Sequence, residues 1–257
     1  MIFRSNLRCP DLTRSFPHLD MRVMPHSHGH SVPSDWADKS QDDPVFGLYK
    51  NCGLLTHDEV AILWNIAREL PGWWLDIGSH TGWTTAHIAN ATGRAVMGID
   101  PMYGVEEFLK RAESNVSDFP VCLYNFTSRE FFASRGSGDD STTTPGHSFS
   151  GAVEFSGVMV DGDHTAGEPL FDARSALEHL AKDGVIVFHD FIGKPVRDAV
   201  SYLIDQGLSY RVYWTPHVMA CCWRGKFTPP EHYGDPRLFD LELRMTDFSF
   251  LGQGVCA

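Results

Sequence analysis

The sequence predicts an α/β fold: a doubly wound, mostly parallel seven-stranded sheet whose last strand is antiparallel. Three observations carry this expectation. Short apolar runs alternate with stretches of helical period from about residue 56 to residue 206. A loop bounded by Gly78 and Gly82 joins the first such run to a helix. Residues 210–214 and 217–223 read as two strands linked only by Thr215 and Pro216, and a link that short permits antiparallel pairing alone.

Taken in order, residues 1–45 are rich in Pro, His, Ser and Asp without a sustained apolar period, and predict an irregular arm. Within it His18, His26, His28 and His30 read as a histidine-bearing tail rather than a metal site. Thr56 and Glu59 make a capping-box pattern, and Val60, Leu63, Ile66, Ala67 and Leu70 then recur at helical spacing, so this helix should lie beside the first strand. Trp73 to Leu75 lead into Asp76. After the glycine loop, Thr84, Ala86, Ile88 and Ala89 mark a short helix, and residues 94–99 form a second strand ending in Asp100. A helix over 105–115, a strand over 121–126 and a short segment opening at Ser128 follow. Residues 136–151 are loop-formers throughout and predict a surface insertion.

The fourth strand, 155–160, ends at Asp161. Pro169 suits the first turn of a helix that should run to about Leu180, with Asp183-Gly184 closing that region. Residues 185–188 form a fifth strand ending in His189-Asp190, and residues 195–206 form a helix before the terminal hairpin. Residues 226–257 are a C-terminal extension in which Phe239, Leu241, Leu243 and Met245 alternate like an edge strand.

A chain of 257 residues with 42% hydrophobic content fits one domain, over 46–225, flanked by the two extensions. A formal net charge of −12 and the lack of any basic run argue against nucleic acid or an anionic membrane surface as partner. No window approaches the roughly 18 apolar residues of a membrane span, and the start MIFRSNLRCPD lacks the apolar centre of a secretory signal. A soluble, cytoplasmic protein is the expectation. The arm is long enough to reach a second subunit, so a homo-oligomer is compatible with the sequence. The six cysteines include no C-x-x-C pair and read as reduced structural thiols; Cys221 and Cys222 should point to opposite faces of their strand.

The stretch WWLDIGSHTGWTTAHIANATGRAVMGIDPMY holds a strand, a glycine turn, a helix, and a second strand tipped with an acid, which together frame a nucleoside. In a dinucleotide fingerprint the second glycine lets a pyrophosphate approach the helix; here that place holds His80. An imidazole crowds a pyrophosphate but not S-adenosylmethionine, which has no phosphate and carries a sulfonium cation suited to Asp76 and Asp100. With these residues, LDIGSHTG followed by GID resembles the class I S-adenosylmethionine-dependent methyltransferases, over roughly residues 72–223. The resemblance implies a Rossmann-like methyltransferase fold of five βα units closed by an antiparallel strand. It also implies cofactor contacts at Gly78, Ser79, His80 and Gly82, with Asp100 on the ribose. Asp76, Trp83, Ser128, Asp161 and Asp163 complete the expected cofactor set.

Open parallel sheets bind ligands beyond the carboxyl ends of their strands. Asp161 and Asp163 lie in VDGDHT after the fourth strand, and Asp190 lies in FHDF after the fifth. If those strands are neighbours, Asp161 and Asp190 can converge on one cation. These segments resemble the small-molecule O-methyltransferases of the catechol, caffeoyl-coenzyme A and macrocin or cephalosporin-tailoring types, and most closely the last. The resemblance implies a divalent metal on Asp161, His189 and Asp190. His189 replaces an oxygen ligand, which favours zinc, iron or nickel over magnesium. His164 stands where the catechol type has its catalytic lysine. It is the candidate base for a substrate hydroxyl, because imidazole changes charge near neutral pH; capping the next helix is the alternative. Trp83, Trp214 and His217 are candidates for the cavity wall or for core packing.

The expected activity is transfer of the sulfonium methyl to a hydroxyl of a small molecule, such as a sugar, a natural product or a phenol. Catalysis would fall to His164 and Asp161. Two rivals stay open: a non-catalytic S-adenosylmethionine-binding protein and a nicotinamide-dependent oxidoreductase.

Overall fold

The computed structural model describes residues 7–19, 55, 57–137, 153–215 and 217–232. Helix α1, His57–Glu69, leads into β1, Trp73–Ile77. Helix α2, Trp83–Thr92, connects to β2, Val96–Ile99, and a 3₁₀ turn at Pro101–Gly104 precedes α3, Glu106–Val116. Then come β3, Val121–Tyr124; α4, Ser128–Ser137; β4, Phe155–Val160; and α5, Glu168–Glu178. The chain closes with β5, Leu180–Phe188; α6, Lys194–Asp205; β6, Ser209–Tyr213; and β7, Met219–Trp223.

The seven strands form one sheet in the order β3-β2-β1-β4-β5-β7-β6. Five strands pair in parallel, and β7 runs antiparallel to both of its neighbours, β5 and β6. The chain winds outward from β1 to β3 and then crosses to β4 on the other side of β1. This leaves a crevice at the carboxyl ends of β1 and β4, where such sheets take ligands.

Alternation along each strand separates two cores, one on each face of the sheet. Leu75, Ile77, Val158, Val160, Ile186 and Phe188 pack under α4, α5 and α6. Trp74, Val96, Met159, Val185 and Val187 pack under α1 and α2. Val60, Leu63, Ile66, Ala67 and Leu70 of α1 are all buried there, which is the face their spacing predicts. Cys221 joins one core and Cys222 the other, so the two thiols do point to opposite faces.

Three segments depart from the sequence reading. Residues 7–19 of the arm carry one helical turn, Leu12–Ser15, capped by Asp11, and bury Leu12 and Leu19 against the α1 side of the sheet. Asn65 of α1 donates to the Arg8 carbonyl at 2.8 Å. Two anchors seven residues apart leave no period to detect. Asp183 and Gly184 lie inside β5 instead of ending a helix, because the β4–β5 register slips between Phe155 and Gly157 and absorbs the extra residues as a bulge. Asp183 there accepts the Lys226 N–H at 2.7 Å. The start of the C-terminal extension folds back on the hairpin: Phe227 packs on the core, and the Tyr213 hydroxyl donates to the Pro230 carbonyl at 2.8 Å.

Residues 138–151 of the insertion, Thr56, His26, His28, His30, Cys52, Cys256 and the 239–245 alternation lie outside the described residues. His18 lies within them and approaches Asp118 at 3.4 Å. Among the described residues no helix is long and apolar enough to cross a membrane.

Candidate active site

The loop after β1 turns on left-handed backbone at three positions: Gly78 (φ 82°), His80 (φ 46°) and Gly82 (φ 81°). His80 is tolerated because histidine is among the few side chains that enter this region with some frequency. Its N–H donates to Asp100 Oδ2 at 2.8 Å, while Met102 N–H donates to Asp100 Oδ1 at 2.8 Å. The tip of β2 is thereby tied to the loop. Ser79 hydrogen-bonds the Tyr103 hydroxyl at 2.7 Å, and Asn115 donates to the Thr81 carbonyl at 2.8 Å. Below the loop, Asp76 is buried and its Oδ2 accepts the Thr85 hydroxyl at 2.6 Å, while Oδ1 has no hydrogen-bond partner. Burial, opposed by the Thr85 bond and reinforced by the charges of Asp161 and Asp100, raises the Asp76 carboxyl to about 7. An orphaned buried acid beside a glycine loop fits a cationic ligand.

The loop touches the second constellation directly. A Cβ on Gly78 would sit 2.2 Å from the Asp161 carbonyl oxygen, so only glycine permits this approach of the β1 and β4 loops. β4 and β5 are adjacent and in register at Val160 and Phe188, which brings Asp161 and Asp190 to the same point on the sheet edge. Ligand atoms of Asp161, His164 and Asp190 all lie within 4.8 Å of one another. Two imidazoles, not one, approach these acids. His189 Nδ1 lies 3.1 Å from Asp161 Oδ1 and 3.3 Å from Asp190 Oδ2. His164 Nε2 lies 3.8 Å from Asp161 Oδ1, and its Nδ1 lies 3.5 Å from Asp190 Oδ2. Asp190 is itself left-handed (φ 52°), a conformation that aspartate enters more readily than most residues.

Behind His189 stands a carboxylate from α1. Glu59 Oε2 lies 3.4 Å from His189 Nε2 and 3.2 Å from His217 Nδ1, and Glu59 Oε1 accepts the His217 N–H at 3.1 Å. The Glu59 side chain is 0% exposed and that of His189 is 2%. Burial alone would raise Glu59, but the neighbouring His217 and His189 hold it well below the ordinary carboxylate range. Burial likewise opposes charge on His189, and Asp161 and Glu59 override it, raising its pKa well above an ordinary imidazole's. Asp190 is lowered: burial works against this, and the neighbouring His189 prevails.

Residues 75–191 match a protein family described as a methyltransferase domain. Over these residues the chain is similar to that domain. Its fold is that of the class I S-adenosylmethionine-dependent methyltransferases, and solved structures agree at low sequence identity. An O-methyltransferase from Bacillus cereus in complex with SAH is 12% identical, covers 82% of this chain and 97% of its own, and has a TM-score of 0.54. A Staphylococcus aureus protein proposed to be a caffeoyl-CoA O-methyltransferase is 14% identical, covers 74% of this chain and 96% of its own, and has a TM-score of 0.53. The precorrin-6y C5,15-methyltransferase of Geobacter metallireducens is 14% identical, covers 66% and 91%, and has a TM-score of 0.50. No curated protein matches the sequence.

Within the matched residues, Asp76, Gly78, Ser79, His80, Gly82 and Asp100 cluster around the β1 loop, and Asp161, His164, His189 and Asp190 around the ends of β4 and β5. Other expected residues have local work. Trp83 is buried in the α1-side core, its ring edge-on to His87 at 4.0 Å, so core packing accounts for it. Ser128 opens α4, and its side chain opposes the rise that burial gives the Asp172 carboxyl. Asp163 is exposed and its Oδ1 accepts the Thr165 N–H at 2.8 Å, shaping the DGDH loop. Trp214 packs against the α4–α6 core, and His217 joins Glu59 instead of lining a wall by itself. Glu59 is the residue that sequence reasoning missed. A helix-capping pattern accounted for it, and its partner His217 lies 158 positions away.

Proposed function

We propose that this S-adenosylmethionine-dependent methyltransferase transfers a methyl group to a hydroxyl oxygen of a small molecule, assisted by a divalent cation. The observation that carries the reading is the contact between the two half-sites. The Gly78 loop abuts Asp161, so a methyl donor on the loop lies beside the acids and imidazoles that would hold and deprotonate an acceptor.

Asp100 and the Gly78 loop would hold S-adenosylmethionine, which would supply an electrophilic methyl to the acceptor oxygen, the S–C bond pair leaving with sulfur. Asp100 is fixed by two backbone N–H groups to accept ribose hydroxyls, and Asp76 offers its charge toward the cation of the cofactor. Asp161, Asp190 and His189 Nδ1 form a mixed oxygen and nitrogen ligand set, matched better to zinc, iron or nickel than to magnesium. A divalent ion there would supply Lewis acidity toward the acceptor hydroxyl. Exposure divides the labour between the imidazoles: at 2% His189 cannot reach substrate, whereas at 34% His164 can. His164 therefore takes the acceptor's proton. Holding donor and acceptor in line contributes the larger share of catalysis, on the order of 7–11 kcal/mol.

The test is calorimetric titration of S-adenosylmethionine and, separately, NADH, each with and without zinc or magnesium, followed by SAH release in the presence of phenols and sugars. Micromolar S-adenosylmethionine binding with acceptor-dependent SAH release supports the reading. NADH binding instead, or cofactor binding with no release on any hydroxyl acceptor, overturns it.

A further inference from the structure

We infer that Glu59, braced by His217, is a positioning residue that holds His189 with Nε2–H toward α1, so that a cation between Asp161 and Asp190 takes the place of the Nδ1 proton. This rests on the metal reading of the site given above. Three observations carry it. Glu59 is fixed before it meets His189, because His217 N–H and Nδ1 engage its two oxygens at 3.1 and 3.2 Å. The Glu59 carboxylate lies 3.4 Å from His189 Nε2, on the side of the ring away from the acids. Neither ring nitrogen of His189 makes an in-line hydrogen bond, although the side chain is almost fully buried among three carboxylates.

Carboxylates flank both ring nitrogens, so each holds a proton until a cation displaces the one at Nδ1, and Glu59 then keeps the remaining proton at Nε2. Asp161 and Asp190, 3.1 and 3.3 Å from Nδ1, face either that proton or the cation that replaces it. The histidine that departs from an all-oxygen ligand set thus comes with its own support, delivered by α1 and by the turn before β7. Glu59, His189 and His217 also lie within 4.8 Å as a trio, but that grouping needs Nε2 as the ligand and forfeits the orientation that Glu59 imposes.

Long-range ¹H–¹⁵N correlation on the labelled full chain, titrated with zinc chloride, separates these arrangements. The expected result is a zinc-dependent shift at His189 Nδ1 with the proton kept at Nε2. A zinc shift at Nε2 overturns the inference and leaves the metal intact on the inner trio. No zinc response at either ring nitrogen of His189, with S-adenosylmethionine still bound, overturns the metal reading itself. Glu59→Gln should weaken zinc binding about 10- to 100-fold while leaving S-adenosylmethionine affinity unchanged. Unchanged zinc affinity in that variant counts against Glu59, and the wild-type spectrum decides if the variant does not fold.

Discussion

The N–H of His80 donates to the carboxylate of Asp100 at 2.8 Å, so the turn after β1 and the tip of β2 form one rigid unit. Asp100 shapes the loop, and in the proposed reading it also takes the ribose hydroxyls. Asp100→Ala should therefore weaken S-adenosylmethionine binding by roughly 10- to 100-fold, the loss expected for one or two hydrogen bonds to a charged acceptor. Calorimetry reads this directly. A Kd within twofold of wild type would remove Asp100 from the cofactor site.

Gly78→Ala tests the contact between the half-sites. The left-handed backbone costs a non-glycine residue about 1–2 kcal/mol, and the added methyl collides with the Asp161 carbonyl at 2.2 Å. The variant should lose about 3 kcal/mol or more of stability in urea denaturation. A smaller loss would mean that the loops part easily.

Asp76 sets a pH signature. Its folded pKa of about 7 lies above the usual 3.8. From about pH 4 to 7 the native state keeps a proton that the unfolded chain has lost, so this group lowers stability as pH rises through that window and adds no further change above it. Asp76→Asn should flatten that fall, read as the difference between the two proteins' melting profiles from pH 4 to 8. A cation bound beside Asp76 should also release a proton near pH 7, seen by calorimetry in two buffers of different ionisation enthalpy.

His164→Ala should lower turnover by about 10²- to 10⁴-fold, the usual range for a lost general base. Because His164 lies on the acid cluster and not on the glycine loop, S-adenosylmethionine affinity should hold. Equal activity in the variant would move the proton transfer to another group.

The sheet was legible because its signals are local. Apolar runs and helical spacing located most strands and helices to within a few residues, though α4 read only as a short segment and β5 starts at Leu180 instead of Val185; the two-residue link at Thr215-Pro216 alone fixed the final reversal. The convergence of Asp161 and Asp190 also followed, since both end neighbouring parallel strands. What stayed hidden depends on distance along the chain. Glu59 sits where a helix cap expects a glutamate, and only the folded sheet brings His189 and His217 to it. Asp183-Gly184 reads as a turn by composition, and its place in a strand comes from a register slip set by the partner.

The reversal of β7 has a consequence for how the site is assembled. In the parallel strands the chain leaves the sheet at the carboxyl edge, and each contributes the residues that come after it, as with Asp161 and Asp190. A strand running the other way enters there, so it contributes what comes before it. His217 arrives by that route, at the head of β7 and next to Val218, whose left-handed backbone (φ 53°) is costly for a β-branched residue. Incoming and outgoing strands thus meet at one edge, and β7, hydrogen-bonded to β5 and β6, anchors the incoming side.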